Sequence, residues 1–212
     1  MKVCKYIGIG GFAILTVSSL LVAKSTMAIE KAKYTVLEKE DSFEVRQYEP
    51  QIVAETYVEG TLKDVGNAGF RRLYDYISGN NKKKQSISMT APVGQEASSE
   101  KIAMTAPVSQ EKTDDQWRIT FLMPAEYSLE TLPEPLDERV KLRKEPGRLM
   151  AAVRYSGTWS EEAYEKNKAL LEAYIQKRGL KKAGVPVWAR YDPPFMPWFL
   201  RRNEVLIPLE KF

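Results

Sequence analysis

The residues of this 212-residue chain that could do chemistry fall into three stretches. The first is Asn67-Ala68-Gly69-Phe70-Arg71-Arg72-Leu73-Tyr74-Asp75-Tyr76-Ile77. The second is a doubled Met-Thr-Ala-Pro-Val, and the third is the tail from Ala189 to Val205, ARYDPPFMPWFLRRNEV. Together they offer aromatic rings, arginines, carboxylates and thioethers. Such groups suit stacking, charge-assisted hydrogen bonds and soft sulfur contacts. Histidine is absent from the sequence. That excludes histidine acid–base catalysis, Ser-His-Asp and Cys-His nucleophile systems, most zinc sites and histidine-ligated haem. The sequence also has no nucleophile elbow, metal-ligand cluster or phosphate loop. A carboxylate beside a tyrosine is the remaining acid–base option, with Glu204 and Tyr191 as its nominal members.

The first stretch needs a helix to position it. Thr61 suits an N-cap, with Asp64 three residues on, where a carboxylate favours the helix dipole. Val65, Gly69, Leu73 and Ile77 give helical spacing, Phe70 and Tyr76 widen the stripe, and Gly79 closes it. The doubled motif, residues 87–93 and 102–108, places Ile, Met, Ala and Val at alternate positions. It is predicted as two strands of a hairpin joined by the polar link 94–101. Its prolines belong near strand ends. The tail is a proline-stiffened loop in which Asp192 can bond forward to backbone N–H groups, while Arg201, Arg202 and Glu204 anchor the last strand through ion pairs.

Strands are predicted at 34–38 and 43–48, across an Asp41-Ser42 turn, and at 51–58, 117–123, 140–144 and 149–155. Ser160 is predicted to cap a second helix, with a stripe through Ala163, Asn167, Leu170, Leu171, Tyr174 and Ile175, closed by Gly179. Strands at 187–191 and 204–209 end the pattern. Two similar halves, each laying one amphipathic helix on antiparallel strands, make an α+β domain. Neither half is large enough to fold alone. The four tryptophans read as core or rim packing.

The N-terminal segment reads differently. Lys2 and Lys5 precede a charge-free run, 7–23, and Lys24-Ser-Thr-Met-Ala28 follows. This pattern predicts a signal peptide, residues 1–28, with 29–212 as the mature domain. The alternative is an uncleaved anchor tethering the protein to a membrane through residues 7–23. Either way the protein is expected to be exported, periplasmic or secreted. Removing residues 1–28 takes away three of the 32 basic residues and no acidic ones, leaving 29 against 28. A near-neutral domain argues against a nucleic-acid partner. The single cysteine, Cys4, goes with the leader, so the mature domain has no disulfide.

The segments FEVRQYEP, GFRRLYDYISGNN, KIAMTAPV and ARYDPPFMPWFLRRNEV, in that order, resemble the SOUL haem-binding family from about Tyr34 to Glu210. The resemblance implies a distorted antiparallel β-barrel with two flanking helices and an internal pseudo-twofold repeat. It also implies kinship with the ligand-binding domains of multidrug-responsive bacterial regulators. It further implies a monomeric binding protein, not an enzyme, whose cofactor is haem or another tetrapyrrole in a hydrophobic groove. Carried onto this chain, the site would comprise Asn67, Phe70, Arg71, Tyr74 and Asp75 on the first helix, with Tyr191 and Met196 in the tail. Tyr74 would stack on the ring or ligate iron, Met196 would pack or ligate weakly, and Arg71 would meet a propionate. The doubled motif reads either as buried structure or, through Met89 or Met104, as soft contacts to the ring. Other expectations left open are a carrier of a different hydrophobic small molecule and a hydrolase of the same fold built on Glu204 and Tyr191.

Overall fold

A computed structural model describes residues 29–83, 99–113 and 115–211. The predicted leader and the first copy of the doubled motif, 87–93, lie outside the described residues. Strands β1 (Tyr34–Glu40), β2 (Phe43–Tyr48) and β3 (Gln51–Val58) lead into helix α1 (Leu62–Ile77). Next come a two-residue strand β4 (Asn81–Lys82), β5 (Val108–Lys112), β6 (Trp117–Leu122) and a two-residue strand β7 (Glu134–Pro135). Strands β8 (Lys141–Glu145) and β9 (Leu149–Tyr155) precede α2 (Glu161–Lys177), and β10 (Val187–Arg190) and β11 (Asn203–Pro208) close the chain.

Nine strands form one curled antiparallel sheet in the order β1-β2-β9-β11-β10-β5-β6-β3-β8, and β4 pairs with β7. With two helices against it, this is the distorted α+β barrel, and the sheet order displays its internal symmetry. Strands β3, α1, β5 and β6 repeat as β9, α2, β10 and β11, and β5 meets β10 at the centre. The edges are exchanged. Strand β2 precedes β3 in the chain but pairs with β9, whereas β8 precedes β9 but pairs with β3. Each half therefore completes its sheet with a strand drawn from beside the other.

Local chemistry fixes both helices. The Thr61 hydroxyl accepts from Asp64 N–H at 3.4 Å, and the Ser160 hydroxyl accepts from Ala163 N–H at 3.2 Å. Helix α1 lies on β3 and β6 through Leu73, Tyr76 and Ile77 against Ile119 and Phe121. It approaches closely at Gly69, where a Cβ would stand 2.3 Å from Ile119 Cγ1. Helix α2 buries Leu171, Tyr174 and Ile175 against β9 and β11. Each fully buried aliphatic side chain contributes about 1.5–3 kcal/mol.

Residues 102–107 do not form the expected strand. Ala106 N–H donates to Glu30 C=O and its carbonyl accepts from Ala32 N–H, so at Ala106 both backbone groups are taken by residues 30–32. Ile102 N–H is tied to the Ile77 carbonyl at the end of α1. Pro107 has no N–H to extend a ladder, and the strand begins only at Val108. No helix among the described residues is long and apolar enough to cross a membrane.

Candidate ligand-binding groove

A groove of about 460 Å3 opens between α1, the segment from Met104 to Gln110, and the loop that follows β10. Its walls are mostly apolar, which suits a small-molecule site. Helix α1 contributes Gly66, Asn67, Phe70 and Tyr74. Phe70 and Tyr74 stack at 5.8 Å with planes 11° apart, and Phe70 rests edge-on against Phe121. These rings form a platform held from below and open on its outer side, with Phe70 36% and Tyr74 48% exposed.

The opposite wall is Pro193, Pro194 and Phe195. Ties at its base hold it. The Asp192 carboxylate accepts from Arg202 N–H, and the Arg201 guanidinium donates to the Pro194 and Met196 carbonyls. Arg201 thus braces the loop through carbonyls and stacks on Trp159, while Arg202 makes the ion pair to Glu204. Phe195 is largely exposed, and beyond the wall Trp198, Phe199 and Leu200 are exposed as well.

At the inner end lie Arg190 and Gln110. The Arg190 guanidinium sits 4.1 Å from the Trp188 ring centre and 5.0 Å from that of Trp159. Its Nε has no hydrogen-bond partner. Burial lowers its pKa to about 10, against an opposing pull from Tyr155, and it stays cationic at neutral pH. Gln110 is 1% exposed, and neither its amide nitrogen nor its amide oxygen has a partner.

A second polar centre lies nearby and is closed. Glu204 is fully buried and accepts hydrogen bonds from Arg46, at 2.7 and 3.1 Å, from Arg202, at 2.7 and 3.0 Å, and from the Tyr191 hydroxyl at 2.8 Å. Burial alone would raise its pKa, but Arg46, Arg202 and Tyr191 outweigh that and hold it below the ordinary 4.5. Tyr191 is pushed well above 10, first by burial and then by the Glu204 charge. The shifts leave Glu204 a weak carboxylate base and Tyr191 a weak phenol acid, each engaged by the other, and Glu204 does not line the groove.

Four of the seven residues expected at the site line this groove: Asn67, Phe70, Tyr74 and Tyr191. Arg71, Asp75 and Met196 stand outside the lining. Along a helix turning roughly 100° per residue, Gly66, Asn67, Phe70 and Tyr74 share one flank, whereas Arg71 and Asp75 rotate past it toward solvent. Both are exposed. Phe195 takes the wall position expected of Met196. Tyr191 lines the groove with its hydroxyl already donated to Glu204 and the Arg202 guanidinium over its ring. Met104, one of the two thioethers considered as soft contacts, lines the groove. Met89 lies outside the described residues. Sequence reasoning missed Arg190, Gln110 and Gly66. The one available signal was a second glycine three residues before Gly69 on the same helix. Among the described residues no group of three or more Asp, Glu, His or Cys could hold a metal ion.

A tetrapyrrole needs an apolar plane to lie on and polar groups at one edge. The Phe70–Tyr74 platform and the polar inner end fit both needs, and Tyr74 and Met104 are the oxygen and sulfur donors nearest to hand.

Comparison with known proteins bears on this fit. The family model described as SOUL heme-binding protein matches residues 29–208. Heme-binding protein 1 of Xenopus laevis is 25% identical over 165 residues, which cover 77% of this chain and 82% of that protein. Heme-binding protein 1 of Xenopus tropicalis is 24% identical over 168 residues, with the same coverage. Among solved structures, a hydrolase from Listeria innocua superposes with a TM-score of 0.53 at 14% identity, covering 82% of this chain and 94% of that one. The EcmrR C-terminal domain gives 0.53 at 11% identity, covering 84% and 99%. At such identities the two structures speak for the fold alone.

Proposed function

This chain belongs to the SOUL heme-binding protein family, and from that premise we propose that it holds haem or a related tetrapyrrole in the groove beside α1. The observation that carries the reading is the stacked Phe70–Tyr74 platform, half exposed and facing a braced proline–phenylalanine wall. Phe70 and Tyr74 on one side and Pro193, Pro194 and Phe195 on the other would hold a flat macrocycle, with Met104 and Val108 adding apolar contact. With no histidine in the chain, iron is held through Tyr74 or Met104, or the macrocycle is held by its faces alone. The protein acts as a binder or carrier. Other flat hydrophobic molecules of similar size are the competing cargo, and a ligand that co-purifies and is identified by mass spectrometry as anything else would replace haem.

Haemin titration followed by absorption tests the reading. The expected result is a saturable Soret shift near one equivalent, weakened roughly tenfold by Phe70→Ala, in line with losing about 1–2 kcal/mol of aromatic contact. An unsaturable response, or one that Phe70→Ala leaves untouched, would sink it.

The second part of the proposal is export. The charge-free run at 7–23 behind Lys2 and Lys5, with the small-residue exit at Ala28, supports a leader removed from the working protein. Intact-mass measurement on protein from the source cells is expected to give a chain beginning at Ile29 outside the cytoplasm. A full-length mass in the membrane fraction would instead establish the tether.

A further inference from the structure

We propose that the inner end of the groove is an anchor for a carboxylate, formed by Arg190 and Gln110, so that the ligand enters acid group first. The proposal rests on the reading of the groove as the ligand site and names the chemistry that site selects.

Unsatisfied polarity is the first observation. The Gln110 carboxamide is 1% exposed with no partner for either atom, and Arg190 Nε is likewise buried and unpartnered. Among the described residues no carboxylate pairs with Arg190. The other buried arginines differ. Arg46 holds Glu204 and Glu44, and Arg118 holds Glu55, Glu111 and Glu145. Buried polar groups left without partners are costly, and native folds rarely keep two side by side without a use for them.

Convergence is the second. The Gln110 amide nitrogen lies 2.7 Å, and Arg190 Nη1 3.5 Å, from the point where a Gly66 Cβ would stand. Both donors therefore converge beside Gly66, and the Gln110 amide takes the space that a side chain there would fill. Rigidity is the third. The Arg190 guanidinium is pinned by Trp188 and Trp159, so little freedom is lost when an anion docks.

The donor set matches a carboxylate in particular. One planar guanidinium and one neutral amide balance a single negative charge, and the fork meets two oxygens in a plane. Aromatic walls on either side favour a flat group. A tetrapyrrole bearing acid side chains satisfies this, as does a long-chain fatty acid.

The test compares acids with their neutral esters, using quenching of tryptophan fluorescence. Haemin is set against haemin dimethyl ester, and dodecanoate against methyl dodecanoate. The wild-type protein is expected to prefer each acid roughly tenfold or more. Arg190→Met is expected to bring that ratio close to one, and Gln110→Leu to reduce it several-fold, with circular dichroism confirming that both variants fold. The wild-type comparison needs no variant, so a misfolded one does not spoil it. Equal binding of haemin and its ester would overturn the anchor and leave the tetrapyrrole reading intact. Acid-selective dodecanoate binding without haemin binding would support the anchor and remove the tetrapyrrole. Binding of none of the four would overturn both.

Discussion

The two halves of this protein share one plan and finish it differently. Matching the β3–β6 pairing, Val58 opposite Trp117, to the β9–β11 pairing, Tyr155 opposite Asn203, places Gln110 in the position of Trp188. The two also stand opposite each other where β5 meets β10. In the second half, Trp188 is fully buried and stacks on Tyr164 of α2 at 5.3 Å, so the wedge between helix and sheet is filled. In the first half the same wedge holds Gln110 below Gly66, and it opens into the groove. The same matching sets Arg118 against Glu204. One is an arginine among three glutamates and the other a glutamate among two arginines and a tyrosine. Both charge centres are internally paired, so charge alone does not mark the site. What separates the Glu204 centre from the inner end of the groove is satisfaction: Glu204 has Arg46, Arg202 and Tyr191 as partners, whereas the Gln110 amide and Arg190 Nε have none.

The largest way to sharpen this contrast is Glu204→Gln. It leaves Arg46 and Arg202 facing a neutral group in a buried site, and urea unfolding is expected to show a loss of about 3–5 kcal/mol. The pH dependence follows from the direction of the shift. Because the folded pKa of Glu204 lies below its ordinary 4.5, its stabilisation is complete above that value and fades as pH falls through the folded value. Glu145, lowered by Arg148 and Arg118 against the opposing effect of burial, acts in the same window. Glu204→Gln should therefore flatten the acid limb of the stability curve below about pH 4.5. An unchanged limb would show that the network is not what holds this region.

Next in size is Gly69→Ala. The new Cβ meets Ile119, itself fully buried, and overpacking costs about 1–3 kcal/mol. That outweighs a helix-propensity gain of up to about 1 kcal/mol. Thermal melting is expected to fall, and a rise would mean that α1 can lift from the sheet cheaply. The smallest effect has the opposite sign. Gln110→Leu makes the first half resemble the second by removing an unpartnered amide, and stability is expected to rise by about 1 kcal/mol in the absence of ligand. A clear loss would imply that the amide is already satisfied.

Much of this architecture is legible in the sequence, because caps and periodicity act locally. Thr61 and Ser160 start their helices where expected, and the strands at 43–48, 51–58 and 149–155 fall on the predicted bounds. Residues 102–107 read as strand by alternation, yet their hydrogen bonds go to residues 30–32 and to the end of α1, choices that alternation does not encode. The helix flank of the groove was half legible. Spacing grouped Asn67 with Tyr74, but only packing on Ile119 and Phe121 decides which side of that stripe faces inward. The inner end was not legible at all. Arg190 and Gln110 lie eighty residues apart, and their significance comes from the β5–β10 pairing and from partners that are missing, neither of which a linear pattern displays.

Paramagnetic broadening by haemin in amide 1H–15N spectra tests the central claim most directly. Bound beside α1, the iron is expected to erase the signals of residues 66–74, 108–110, 190–192 and Phe195 while sparing residues 171–177 on α2. Broadening centred on α2, or spread evenly over both halves, would contradict the assignment of the ligand to the unfilled half.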